Sequence, residues 1–417
     1  MYFNKIKKLF YTALIFSFIL ITINSDIVGN LYWKVSSLFV DYNSMIEWLE
    51  CHSLGINLYI TEELICNGKN VGTFAYGHAL LFLPYSDVLS VFYYKYLPLI
   101  IIFLFIFLTI KIINPQNKIE KLLLFLILLN PSTLLAFDRL NFDIIVYIFA
   151  IIICFNRIYF LNWFSILFLS FIKIYPAALF INIFFENKKR SNKNIFLIIS
   201  FIFLITLIYA YYYADTILFF LESHRAGKPG YHYLFSLNSI PKILKYVFNF
   251  NYIILIFLTY VLFIILVVKI YKNFNSLSDQ LQNDIFSTNS KLFIVGGYLS
   301  IVCFFLFSNW FYREIFLILM IPNVLSLKSS TNNKILNLLI YVIIARYFYL
   351  FIYSYINIHD GITHVNSVRI FSSKFVFIIF LKSVFDFIIM SLLSAILVLK
   401  TRIYIKKHLK PKDQKII

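Results

Sequence analysis

Apolar runs of membrane length alternate along this chain with short basic segments and with longer polar segments that carry acids. Crossing a bilayer core as a helix takes about 20 apolar residues at about 1.5 Å rise each. Runs approaching that length fall at 9–24, 93–113, 121–137, 142–156, 195–213, 251–271, 291–308, 335–355 and 375–399, with a shorter one at 314–327. The stretch 158–186 is less regular. As one helix it would put Arg157 and the cluster Lys188, Lys189, Arg190 and Lys193 on opposite sides of the membrane. Two short spans meeting at Lys173-Ile174-Tyr175-Pro176 return both to the same side. Pro176 has no N–H to donate and disfavours helix at Tyr175, so a break there has a local cause. The pattern predicts an all-α polytopic bundle of about 12 spans, one transmembrane domain over residues 1–417, with both termini cytoplasmic.

Composition agrees with the pattern. The chain is 61% hydrophobic and only 13% charged, more apolar surface than a soluble core can bury. Its net charge of +18 raises the alternative of a nucleic-acid partner. The distribution of that charge argues against it. Basic residues collect at Lys5, Lys7 and Lys8, at Lys111, Lys118 and Lys121, at 188–193, at Lys328 and Lys334, and in a tail over 400–417. These are positions of cytoplasmic anchors in a multi-span protein. Between Asp26 and Asp87, by contrast, seven acids face only Lys34 and Lys69. The first apolar run lacks the small-residue cleavage site of a signal peptide and is expected to remain as a first helix.

This topology places residues 25–92 and 214–250 outside as two long loops, with shorter outer segments around Asp138–Phe142, at 309–313 and at 356–374. Loops of that length are functional or disordered more often than mere connectors. The aromatic stretch 74–92, with Pro84 inside it, reads as an interfacial or re-entrant helix. Cys51 and Cys66 share the first outer loop and could form a disulfide in an oxidising compartment, whereas Cys154 and Cys303 lie in spans. No Cys or His spacing suggests a metal site.

Candidate chemistry lies at the outer ends of the spans. Asp41 is a lone acid in the run Leu38-Phe39-Val40-Asp41-Tyr42-Asn43, with Asp26 the next choice in the same loop. Asn130-Pro131 precedes Phe137-Asp138-Arg139-Leu140-Asn141-Phe142-Asp143, three charges in six residues between apolar runs. Arg139 can present a planar fork of donors to a phosphate, and Asp138 or Asp143 could orient it. Lys173 sits at the expected helix break, and Tyr312-Arg313-Glu314 precedes a late helix. Each has a plainer alternative. The 138–143 group could only cap two helices, Lys173 could snorkel, and Arg313 could pair with Glu314 in an aromatic belt. His224, Arg225 and His232 in the second long loop carry a weaker signal. Lys382 and Asp386 share a helix face and are expected to pair, while Arg346 has no local partner and needs a lipid phosphate or a bond across helices.

Taken in order, these elements resemble the GT-C superfold of polytopic glycosyltransferases. The 138–143 run is similar to the D/E-R-G-N-x-D element of bacterial GT-C-type proteins of surface-polysaccharide assembly, with Leu140 in place of the glycine. The Lys173 to Pro176 run resembles a K-x-x-P element of family-87-like mannosyltransferases, and Tyr312-Arg313 a Y-R element of the same proteins. The resemblance implies an inverting, metal-independent glycosyltransferase without a cofactor. Asp41 would be general base, Arg139, Lys173 and Arg313 would bind the donor phosphate, and Asp138, Asn141, Asp143 and Tyr312 would support them. The implied donor is a polyprenyl-phosphate sugar and the acceptor a glycolipid or polysaccharide, on the outer face of a bacterial plasma membrane. Two other classes stay open, an O-antigen-type polysaccharide polymerase and a non-enzymatic flippase or transporter of lipid-linked sugars. A transporter would carry its charges along a path through many spans.

Overall fold

The computed structural model describes residues 2–24, 38–59, 64–72, 74, 76–182, 192–219, 235–274, 281, 287–305, 311–330, 334–359, 362–365, 368–371 and 373–409. The chain is mostly helical. In order, its helices are α1 (Tyr2–Asn24), α2 (Val40–Ser53), α3 (Asp87–Lys95), α4 (Leu97–Ile113), α5 (Lys118–Leu129), α6 (Pro131–Arg139), α7 (Phe142–Phe155) and α8 (Tyr159–Ile172). They continue with α9 (Asn192–Tyr212), α10 (Ser239–Phe248), α11 (Tyr252–Asn273), α12 (Thr288–Phe305), α13 (Ile321–Ser330), α14 (Lys334–His359) and α15 (Ser373–Leu409). Among the described residues, three 3-10 segments, His78–Phe82, Tyr175–Ile181 and Phe311–Met320, interrupt this series. Small antiparallel hairpins among the described residues pair β1 (Ile65–Cys66) with β2 (Lys69–Asn70), and β3 (Ile362–Val365) with β4 (Val368–Phe371).

Among the described residues, four helices, α11, α12, α14 and α15, contain stretches long and apolar enough to cross a membrane. Counting each of the bent pairs α3–α4 and α5–α6 as one span raises the number to six. The expectation of about 12 spans is not supported among the described residues. For two of the expected spans helix length is the reason. α7 and α8 have 14 residues each, about 21 Å of helix against a hydrocarbon core of about 30 Å. The expected span 121–137 is bent by 41° between α5 and α6. Asn130 caps α6 there, its Oδ1 accepting from the N–H groups of Ser132 and Thr133, and Pro131 takes the first helical position. At the other end of the chain, α15 runs on through Leu409, so helix continues into the segment expected as a basic tail. Lys400 is buried there and bonds Ser290 of α12 at 2.7 Å.

The described part of the first long loop is compact. α2 packs on the His78–Phe82 turn and on α6, with Trp48 edge-on to Phe74 and tilted over Tyr76. Cys51 and Cys66 are disulfide-bonded, with Cα atoms 5.8 Å apart, which ties α2 to the β1–β2 hairpin. α3 buries none of its side chains and meets α4 at 40°.

α12 is the hub of the other half. It packs on the 3-10 helix Phe311–Met320, the 3-10 turn Tyr175–Ile181, α7 and α15. Gly296 makes this possible, because a Cβ there would lie 2.5 Å from the Leu319 Cβ.

Candidate active site

Four separate helix ends meet at one point, and each carries a charge that suits its end. Asp41 lies in the first turn of α2 and Asp143 in the first turn of α7, where a helix dipole favours anions. Arg139 closes α6, and Lys173 caps the C-terminus of α8, where the dipole favours cations. Local sequence sets these ends. Asn141 caps α7 by accepting from the Asp143 N–H at 3.1 Å. Lys173 takes an extended backbone (φ −138°) before the 3-10 turn that contains Pro176, the break expected from the sequence.

Leu140 stands where the resembled element has glycine, and it adopts the left-handed conformation glycine would favour, φ +44°. Its N–H donates to the Phe137 carbonyl, and that of Asn141 donates to the Ala136 carbonyl, closing the end of α6. The tight turn is therefore kept without the glycine. The Leu140 side chain is buried, which holds the strained backbone in place. The turn also receives the loop before α2, since the Phe39 N–H donates to the Asp138 carbonyl at 2.6 Å.

The side chains form one continuous network. Arg139 reaches Asp41 through two bonds, Nε to Oδ2 at 3.0 Å and Nη2 to Oδ1 at 2.5 Å. Asn141 donates its Nδ2 to Asp41 Oδ2 at 2.6 Å and accepts from Lys173 Nζ at 3.0 Å through Oδ1. Lys173 also donates to Asp143 at 3.0 Å, Arg313 Nε does so at 3.1 Å, and the Tyr175 hydroxyl completes the set. Asp143 is wholly buried, so its charge depends on these three donors. Arg139 (24% exposed), Arg313 (19%), Asp41 (15%) and Lys173 (11%) form the open side of the cluster. Aromatic rings frame the cations. Lys173 Nζ lies 5.0 Å from the Tyr76 ring and 5.6 Å from that of Phe142, and Arg313 Cζ lies 5.1 Å from Tyr175.

Asp41, Arg139, Asn141, Asp143, Lys173 and Arg313 are thus brought together by bonds. Two expected pairings change. The Arg139 fork, expected beside Asp138 or Asp143, meets Asp41, while Asp143 holds Lys173 and Arg313. Glu314, weighed as the partner of Arg313, bonds Arg346 and Ser132. Asp138 is buried behind the cluster, contributing its carbonyl to the Phe39 N–H. The side chain of Tyr312, and the residues Asp26, His224, Arg225 and His232, lie outside the described residues. Tyr175 and Tyr76 join the site without a signal of their own in the sequence. Tyr175 stands two residues from Lys173 in a run already noted, but nothing local distinguishes Tyr76 from the other aromatics of its loop.

A second cluster lies deeper in the bundle. Arg346 of α14 bonds Asp386 of α15 through Nε at 2.7 Å, and Lys382 reaches the same carboxylate at 2.9 Å. Arg346 thereby takes the cross-helix alternative, and Lys382 and Asp386 pair as their spacing suggests. Among the described residues, no group of three or more His, Cys, Asp or Glu side chains converges as a metal site.

No family model, no curated protein and no solved structure matches the chain.

Proposed function

We propose that this protein is a membrane glycosyltransferase of GT-C type. It would move a sugar from a polyprenyl-phosphate-linked donor to a glycolipid or polysaccharide acceptor on the outer face of a bacterial plasma membrane. The observation that carries this reading is the charge of the cluster. Arg139, Lys173 and Arg313 against Asp41 and Asp143 leave one positive charge in excess, on partly exposed side chains. A sugar phosphodiester carries a single negative charge, so the cluster matches it without a divalent ion. The proposed roles follow from position. Asp143 is the buried counter-ion that holds Lys173 and Arg313 toward the open side, and Asn141 links the Asp41 carboxylate to Lys173. Asp41, oriented by Arg139, takes the proton of the acceptor hydroxyl as its oxygen bonds the anomeric carbon. The bond from that carbon to the phosphate oxygen breaks, its electron pair stays on the phosphate, and the cations meet the new charge.

A transporter of lipid-linked sugars is a second reading, favoured by one observation. Arg313 and Glu314 join the outer cluster to the buried row Arg346, Asp386 and Lys382, a line of charge running into the bundle. Purified protein in detergent, given a polyprenyl-phosphate sugar and a glycolipid acceptor, separates the two. Release of polyprenyl phosphate with a glycosylated acceptor supports the enzyme. Transfer supported by nucleotide sugars alone would sink it, and, once the same protein is reconstituted into lipid vesicles, movement of the intact donor across their membrane without transfer would favour the transporter.

A further inference from the structure

Arg313 and Glu314 are adjacent in the 3-10 helix Phe311–Met320 but serve different clusters. In a 3-10 helix successive side chains point about 120° apart, so neighbours face different partners. Arg313 turns to Asp143 at the start of α7. Glu314, 1% exposed, turns inward, where Oε1 accepts from the Ser132 hydroxyl and Oε2 from Arg346 Nη2. Ser132 is itself fixed, its backbone N–H donating to Asn130 Oδ1 at 2.9 Å. It lies in the first turn of α6, whose last residue is Arg139. Arg346 in turn is held by Asp386 of α15, and Asp386 by Lys382. Glu314 is therefore the point at which the segment bearing Arg313 is fastened to the helix bearing Arg139.

We infer that Glu314, clamped by Ser132 and Arg346, is a positioning residue that sets Arg313 against Arg139 and Lys173 for binding a phosphate. The inference rests on the proposed reading of the outer cluster as a phosphate site. The buried row has two anions, Glu314 and Asp386, and two cations, Arg346 and Lys382, so it carries no net charge of its own. Its effect on the outer cluster is geometric. Shortening Glu314 by one methylene keeps the charge but pulls the 3-10 helix relative to α6. Displacement of that kind should be felt by Arg313, which is one residue away.

The test is binding of farnesyl phosphate to the purified full chain in detergent, read with thermal unfolding of the same samples. Arg313→Gln should weaken binding by about tenfold or more, as loss of a cation facing a phosphate. Glu314→Asp should weaken it by roughly three- to tenfold, and should add nothing in the Arg313→Gln background, because coupled residues act non-additively. A merely structural residue would lower the unfolding temperature and give additive effects on binding. Additive effects, or an unchanged dissociation constant in Glu314→Asp, would overturn the inference while leaving the phosphate site standing. Wild-type binding in Arg313→Gln would instead overturn the phosphate reading, and the inference with it. Should Glu314→Asp not fold, Ser132→Ala breaks the same clamp without touching a charge, and the cycle is run with it.

Discussion

Arg139 and Asp41, 98 residues apart in the chain, form a two-point ion pair with bonds of 3.0 and 2.5 Å. A fork of this kind fixes the plane of the carboxylate as well as its position, which a lysine cannot do. On the proposed reading Arg139→Lys keeps the charge but frees Asp41 to rotate. Turnover should fall on the order of 10–100-fold, the worth of one charge-assisted bond. Asp41→Asn should cost about 10²–10⁴ in rate while farnesyl phosphate binding changes little. Full activity in Asp41→Asn would remove the base assignment.

Leu140 sets two effects against each other. Its left-handed backbone costs about 1–2 kcal/mol in a non-glycine residue. Its side chain is 1% exposed, and removing a buried leucine costs about 2–5 kcal/mol. Burial outweighs strain, so Leu140→Gly should lower the unfolding temperature even though it restores the residue of the resembled element. A rise in unfolding temperature would show that strain dominates.

Gly77 is a point of close approach. Its N–H donates to the Ile172 carbonyl at 2.9 Å, and a Cβ there would fall 1.9 Å from the Phe171 carbonyl oxygen. Neither atom belongs to a flexible side chain, so backbone must move. Gly77→Ala should cost about 1–3 kcal/mol, as overpacking does. It should also carry the neighbouring Tyr76 ring away from Lys173 and weaken farnesyl phosphate binding. Binding and stability both at wild-type levels would mean that the turn yields freely.

Reduction should loosen the first loop. The Cys51–Cys66 bridge closes a separation of 15 residues, for which chain entropy gives about 3 kcal/mol. Cys51→Ser with Cys66→Ser should make α2 and the hairpin more open to limited proteolysis while helices such as α14 stay protected. Equal cleavage with and without the bridge would contradict this.

His78 predicts a pH dependence. Its hydroxyl partner is Tyr59, its ring stacks on Tyr213 at 4.2 Å, and His52 lies 6.1 Å away edge-on. Burial holds its pKa below the ordinary histidine value, and the second imidazole adds to that effect. The unfolded chain takes up this proton near about pH 6.5, whereas the folded chain resists it. Stability is therefore present above that pH and falls as acidification proceeds through the lowered folded value. The unfolding temperature should drop between pH 7 and pH 5, and His78→Phe should flatten that part of the profile. An unchanged slope would assign the effect to another group.

Much of this molecule could be read from the chain because its physics is local. Helix is required wherever a long apolar run must satisfy its own backbone, and the breaks follow from Asn130-Pro131 and Lys173-Ile174-Tyr175-Pro176. The candidate residues stand out because charge beside apolar runs is costly, so Asp41, Arg139, Asp143, Lys173 and Arg313 are visible one by one. Their partners are not visible. Sequence spacing says nothing about which carboxylate an arginine will meet across 98 or 170 residues. It therefore allowed Arg139 beside Asp143 and Arg313 beside Glu314, where packing put Asp41 and Asp143. The expected span count goes unsupported among the described residues for a related reason. Hydropathy measures how apolar a run is, but not where a helix begins or stops: α7 begins after Asn141 and α8 ends at Lys173, whose side chains serve the cluster. Only the tertiary structure could bring Tyr76 over Lys173 and Glu314 to Ser132, because each contact depends on how separate helices pack and on no pattern within either one.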